Sequence, residues 1–259
     1  MPLSEPAAET PVLWDSLSWP ELAALIEGGL DTVMLPVGAT EQHGPHLPLG
    51  MDTFAALAVT HGASARTGIP VLPPISVGCS LGHTARWPGT LSLRPGTLAR
   101  VVTDIAEWLH ESGIRRLVMI NGHVTNHAPL RCALEEIRHD FRDMRVALRS
   151  LWDLSPDIHA AYHDDAVNFH ANRAETALVM AVRPDLVRLD LATDQPDRGR
   201  DAVFSYRVDQ ETASGVVGIP TLATVPEGEA LVEGCITALV DLLDRARAER
   251  PPIDMEEPR

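Results

Sequence analysis

The sequence predicts one α/β domain with parallel strands, on three observations. A chain of 259 residues, 45% of them hydrophobic, can bury a single sizeable core. Short apolar runs, 32–37 and 115–120 above all, alternate with longer stretches of helical periodicity. Neither an internal repeat nor a second domain is visible, so one domain is expected over 14–248, between a flexible 1–13 and a disordered 249–259.

Each element has a local reason. Ser18 caps a first helix, with Pro20 in its first turn, Glu21 completing a capping box and Gly28-Gly29 ending it. The run 32–37 reads as a buried strand. It opens into a loop, 38–52, whose glycines and prolines no helix could run through. A helix over 54–66 begins just past Asp52, with its N-terminus toward that loop. The run 69–75 reads as a short strand leaving through a proline turn. After it comes a glycine-rich segment with His83, which suits a loop lining a pocket; His83 is either a substrate contact or an ordinary loop histidine.

Helical spacing over 98–112 leads to the strand 115–120, which delivers Asn121-Gly122-His123 to its carboxyl end. Ligands bind at that end in open α/β sheets. A helix over 129–141, a strand over 145–152 and an irregular 153–167 follow. In the last of these, Tyr162 and His163 are read either as part of a flap over the substrate or as plain loop residues. A helix from residue 171 places His170 and Glu175 near its N-terminal turn. Residues 190–215 read as loop, and Pro226-Glu227-Gly228-Glu229 caps a last helix to about 248.

Composition narrows the function. With 21 basic against 36 acidic residues the net charge is -15, which disfavours nucleic acid and anionic membranes as partners. All the basic residues are arginine, so no lysine is present for a Schiff base, pyridoxal phosphate or a Walker motif. Three scattered cysteines form no CxxC pair, and no apolar run reaches the ~18 residues of a membrane span. A soluble, reduced, cytoplasmic protein is expected.

The loop after the first strand carries Glu41, His43 and Asp52. Carboxylate and imidazole on a loop at a strand end are the ligands of a hydrolytic metal site, suited to zinc, manganese or iron, and an aspartate can bridge two ions. His123, following Asn-Gly at the end of another strand, joins them as a candidate ligand. His46 and His127 flank these motifs and are expected to hydrogen-bond in support. His170, beside a helix N-terminus that lowers its proton affinity, suits a proton shuttle near neutral pH.

Val37-Gly38-Ala39-Thr40-Glu41-Gln42-His43-Gly44-Pro45-His46 with Asp52, Trp87-Pro88-Gly89-Thr90, Asn121-Gly122-His123, and His170 through Glu175-Thr176 occur in this order. Over almost the whole chain the sequence resembles the creatininase family of metal-dependent amidohydrolases, a family that includes creatininase-like peptidases of the mycofactocin system. The resemblance implies a three-layer α/β/α sandwich around a largely parallel sheet, assembled as a homohexamer. It also implies two divalent ions, zinc, manganese or iron, per chain. Glu41 and His123 would bind one ion, His43 the other, with Asp52 bridging and His170 handing a proton to the leaving nitrogen of a small amide. Creatinine-hydrolysing members place a glutamate ligand two residues after the motif histidine, where this chain has Thr125; Glu175 is expected to replace it. Those members close the pocket with two tryptophans. Trp152 matches one, but the other position is Ala166, so the substrate is expected to be an amide other than creatinine, or a short peptide. His83, Thr125 and Trp152 are the expected substrate contacts.

Overall fold

The computed structural model describes residues 10–253, so residues 1–9 and 254–259, most of the two termini expected to be flexible, lie outside the described residues. Within the described span the order is α1 (Trp19–Glu27), β1 (Thr32–Val37), α2 (Met51–Thr67), α3 (Pro95–Glu111), β2 (Arg116–Asn121), α4 (His127–Asp140), β3 (Arg145–Ser150), α5 (Pro156–Tyr162), α6 (Arg173–Val182), α7 (Val208–Glu211) and α8 (Val225–Ala248). The three strands pair in parallel in the order β1-β2-β3, with Leu35 opposite Met119 and Met119 opposite Leu148.

Strand alternation sends side chains to opposite faces, and both faces are covered. Val33, Leu35, Leu117, Met119 and Leu148 join a core with α3 and α4. Met34, Val118 and Ile120 join a second core with α2, α6 and α8. Two apolar cores, one on each side of a parallel sheet, make the expected α/β/α sandwich, and they explain why β1 is apolar from Val33 to Val37. None of the described helices is long and apolar enough to cross a membrane.

Three local expectations are corrected. Residues 69–75 run parallel to β1 but touch it only as bridges at Val71 and Ile75. Pro36 has no N–H to give on that side, and Pro70, Pro73 and Pro74 have none to return, so no continuous ladder forms. Residues 12 and 13, placed by the sequence in a frayed terminus, are tied down: Val71 N donates to Val12 O (2.9 Å) and Trp14 N to Val71 O (2.9 Å). The stretch 153–167 is not wholly irregular, because Ser155 caps α5 by accepting from Ile158 N. Tyr162 on that helix is buried in the core, so it is no part of a flap.

Candidate metal centre

The carboxyl ends of β1 and β2 bring the ligand loops together through close backbone contact. A Cβ on Gly38, the residue after β1, would meet the Thr53 backbone at 2.5 Å; one on Gly122, after β2, would meet Asp52 O at 2.4 Å. Only glycine lets the first turn of α2 pack this tightly on the sheet. Asp52 lies in that turn, where the helix dipole favours an anion. The 38–52 loop is closed by Glu41 N donating to Leu49 O (2.9 Å), and is fastened to the Trp87-Pro88-Gly89-Thr90 segment by Gln42 N donating to Thr90 Oγ1 (3.0 Å).

Glu41, His43, Asp52, His123 and Glu175 converge there, all buried. Two three-residue groups, each with ligand atoms within 4.8 Å of one another, share Asp52: Glu41, Asp52 and His123 form one, and His43, Asp52 and Glu175 the other. Asp52 Oδ1 lies 3.3 Å from His43 Nε2 and Oδ2 lies 3.5 Å from His123 Nδ1. A third such group is Glu41, His43 and His170.

The imidazoles are held alike. His43 Nδ1 lies 3.2 Å from Glu41 O, His123 Nε2 3.1 Å from Cys79 O, and His170 Nε2 2.8 Å from Gln42 O. A backbone carbonyl can only accept, so each of these nitrogens carries hydrogen when the ring is neutral, and the other presents a lone pair to the carboxylates. Gln42 Nε2, 2.9 Å from His170 Nε2, is then a neighbour of that N–H and not its donor. The amide donates instead to His83 Nδ1 (3.2 Å), while its oxygen accepts from Gly44 N (3.0 Å).

Glu175 is aimed by an unusual backbone. Ala171 has φ +49°, the left-handed region that a non-glycine residue rarely adopts. This turn sends Ala171 N onto Glu175 Oε2 at 2.6 Å.

Do these residues fit cations? Both oxygens of Glu41, His43 Nε2 and Asp52 Oδ2 are buried with no hydrogen-bond partner. Each such orphan costs about 1–3 kcal/mol if nothing satisfies it, and all four atoms belong to the two groups that share Asp52. Oxygen and nitrogen donors of this kind suit zinc, manganese or iron. The protonation pattern agrees. Burial raises the Glu41 carboxyl to about 7 against the charge of His123, and raises Glu175 to about 8 against that of His43. Burial pulls His43 down, but Asp52, Glu175 and Glu41 outweigh it and lift the imidazole to about 10. The carboxylates of Asp52, Glu175 and Glu41 that hold the His43 proton this tightly also attract a cation.

His170 is buried and precedes α6 by three residues, paired with Val217. Its pKa is lowered well below the usual value by burial first, then by His43 and His83. The direction agrees with the sequence reading. His83 is likewise held down, to about 2, by burial and by His123 and His43.

A cavity of about 220 Å³ opens onto the cluster, and His83, Thr125, Trp152, His163 and Phe169 are among its lining residues. Of the two supporting histidines, His46 is buried with Nε2 2.9 Å from Thr176 Oγ1. His127 is exposed; the residue before it, Asn126, makes the buried bonds, accepting from Cys79 N (2.8 Å) and donating to Gly38 O (2.9 Å). Gln42 and Phe169 were missed from sequence. Only Phe169 carried a signal, as an aromatic next to the candidate proton carrier; its ring meets Trp152 edge-on at 5.9 Å.

The model of the creatininase family, described as creatinine amidohydrolase, matches residues 15–243. Creatinine amidohydrolase of Pseudomonas putida is 33% identical over 253 residues, covering 91% of this chain and 96% of its own. The mycofactocin precursor peptide peptidase of Mycolicibacterium smegmatis is 31% identical, covering 84% and 86%. Among solved structures, a mutant creatininase of "Zn-Zn type" superposes with a TM-score of 0.82 at 30% identity, covering 91% and 98%. A manganese creatininase does so with 0.80 at 31%, over the same shares. The chain belongs to the creatininase family, whose fold it shares, and is a hydrolase acting on carbon–nitrogen bonds.

Proposed function

We propose that the protein is a dinuclear metal-dependent amidohydrolase that opens a C–N bond, an amide or cyclic amide, of a small molecule. The observation that carries this reading is the placement of the two Asp52 oxygens, one toward His43 and one toward His123, each within its own three-residue group. Glu41, Asp52 and His123 would hold one ion, and His43, Asp52 and Glu175 the other. Two such ions, when bound, lower the pKa of a water to about 7 and polarise a carbonyl.

The chain's own residues supply the rest. His83, Thr125 and Trp152, with Phe169, border the space next to the cluster and orient the substrate there. His170 Nδ1, 3.7 Å from Glu41 Oε1, offers a lone pair on an imidazole kept neutral by burial. It takes up a proton on the cluster side and passes it to the leaving nitrogen. Thr125, exposed at the cavity, is no carboxylate, and Glu175 stands in for it from α6.

His170→Ala tests the assignment. Retained cations with turnover of a lactam or linear amide reduced ~10²–10⁴-fold support it; unchanged turnover contradicts it. A second reading, a peptidase trimming a short peptide, draws on the M. smegmatis relative; turnover of peptides but not lactams would favour it. A cytoplasmic homohexamer is the assembly this reading carries, to be checked by light scattering and cell fractionation.

A further inference from the structure

The cavity beside the metal centre has an uneven lining. Five histidines, the ligand carboxylates Asp52 and Glu175, and one further carboxylate, Glu211, border it, but no arginine does. Glu211 belongs to none of the three ligand groups. The sequence places it in a loop without a role; in the structure it closes α7, which packs against the turn carrying His83. Val208 and Glu211, three residues apart on one face of α7, both reach the cavity. The carboxyl is set against Gly199: a Cβ there would lie 3.2 Å from Glu211 Oε1 and 3.4 Å from Asn168 Nδ2, another cavity residue.

The charge of Glu211 is not answered from within the chain. Neighbouring acids are committed. Asp197 accepts from Val167 N (3.1 Å), Asn168 N (2.9 Å) and Gly199 N (3.1 Å), and Asp209 pairs with Arg207 (2.9 Å). Among the described residues, no group donates a hydrogen bond to the Glu211 carboxylate and no cation pairs with it. Burial raises its pKa above the usual carboxylate value, and the nearby Asp197 adds to the rise. A partly buried acid in that state is stabilised by an arriving positive charge.

The surroundings say what carries that charge. An anionic ligand would find no arginine in the cavity and would face Glu211. An organic cation meets the carboxylate and also shares the space with Trp152 and Phe169, since aromatic faces attract positive charge. His163 adds an acceptor. Its Nδ1 lies 2.9 Å from His159 O and carries the hydrogen of the neutral ring, which leaves a lone pair on Nε2. The net charge of -15 draws cations toward the protein from a distance.

We propose that Glu211 recognises a positively charged nitrogen on the substrate, so that the amide opened here belongs to the class that also carries a protonated amine. This inference rests on the amidohydrolase reading of the same cavity and names the substrate class for it.

The probes are ε-caprolactams bearing an amine, a hydroxyl or a carboxyl at C3 or at C5. Each is given to the manganese-loaded parent, to Glu211→Gln and to Glu211→Arg. Dissociation constants from ligand-detected NMR need no turnover, and kcat/KM is measured beside them. In the parent, the amine should exceed the hydroxyl about tenfold or more at one position at least, the size of a charge-assisted hydrogen bond. In Glu211→Gln that ratio should fall to about one, and Glu211→Arg should turn the preference toward the carboxyl. A variant that merely folds poorly lowers all three probes together and leaves the ratio standing, which would overturn the proposal. So would a parent that binds amine and hydroxyl equally, or prefers the carboxyl. If no lactam is hydrolysed, the amidohydrolase reading fails by itself, and the ratios of dissociation constants still decide the role of Glu211.

Discussion

Gly122 presses on Asp52: a Cβ at residue 122 would lie 2.4 Å from the Asp52 carbonyl oxygen and 3.5 Å from its Cα. The glycine between Asn121 and His123 is therefore what lets a ligand from the end of β2 and a ligand from the first turn of α2 share one space. Gly122→Ala should push α2 off the sheet, cost about 1–3 kcal/mol of stability and reduce the cation content. Denaturant unfolding and elemental analysis check both; a variant as stable and as metal-rich as the parent would refute this role.

Asn126 should matter without touching the cluster. It is fully buried and joins Cys79 N to Gly38 O across two other loops. Asn126→Ala would orphan both groups, at about 1–3 kcal/mol each, and release the His83 loop. The expected result is a lower melting temperature and weaker cation binding, whereas His127→Ala, at an exposed position, should change neither.

The metal-free protein should lose stability as pH rises above about 6.5. The Glu41 and Glu175 carboxyls are raised to about 7 and 8, and the His43 imidazole to about 10, so above that pH the folded chain binds more protons than the unfolded one. Stability contributed this way is lost as pH climbs through those values. His46, lowered to about 4 chiefly by burial, and His83, lowered to about 2, act oppositely. They cost stability as pH falls below 6.5, where only the unfolded chain takes up their protons. Thermal melts at pH 6.5 and 8.5 with and without manganese check this. The rise in melting temperature on adding the cation should be larger at pH 8.5, and a larger rise at pH 6.5 would contradict the assignment.

Much of this was legible in the sequence, for physical reasons. β1 and β2 read correctly because strands buried on both faces have apolar centres, 33–37 and 117–120. Glu41 and His43 stood out as polar groups soon after the first and His123 after the second, with Asp52 farther along the stretch that follows β1. What could not be read depends on contacts distant in sequence. Whether 69–75 forms a ladder depended on Pro36, more than thirty residues earlier. The supporting role of Asn126 over His127 depended on which side chain the turn after β2 directs inward. The left-handed Ala171 that positions Glu175 has no signature, since the residue there is not glycine.

The most direct measurement is the number of divalent ions per chain in the purified protein and in Asp52→Asn, a substitution that keeps the side chain's shape and removes its charge. The account predicts about two ions in the parent, and in the variant loss of both with amide hydrolysis reduced ~100-fold or more, because changes merely beside metal ligands already cost 10–100-fold. A parent protein fully active without bound metal, or a variant that keeps two ions and full turnover, would contradict it.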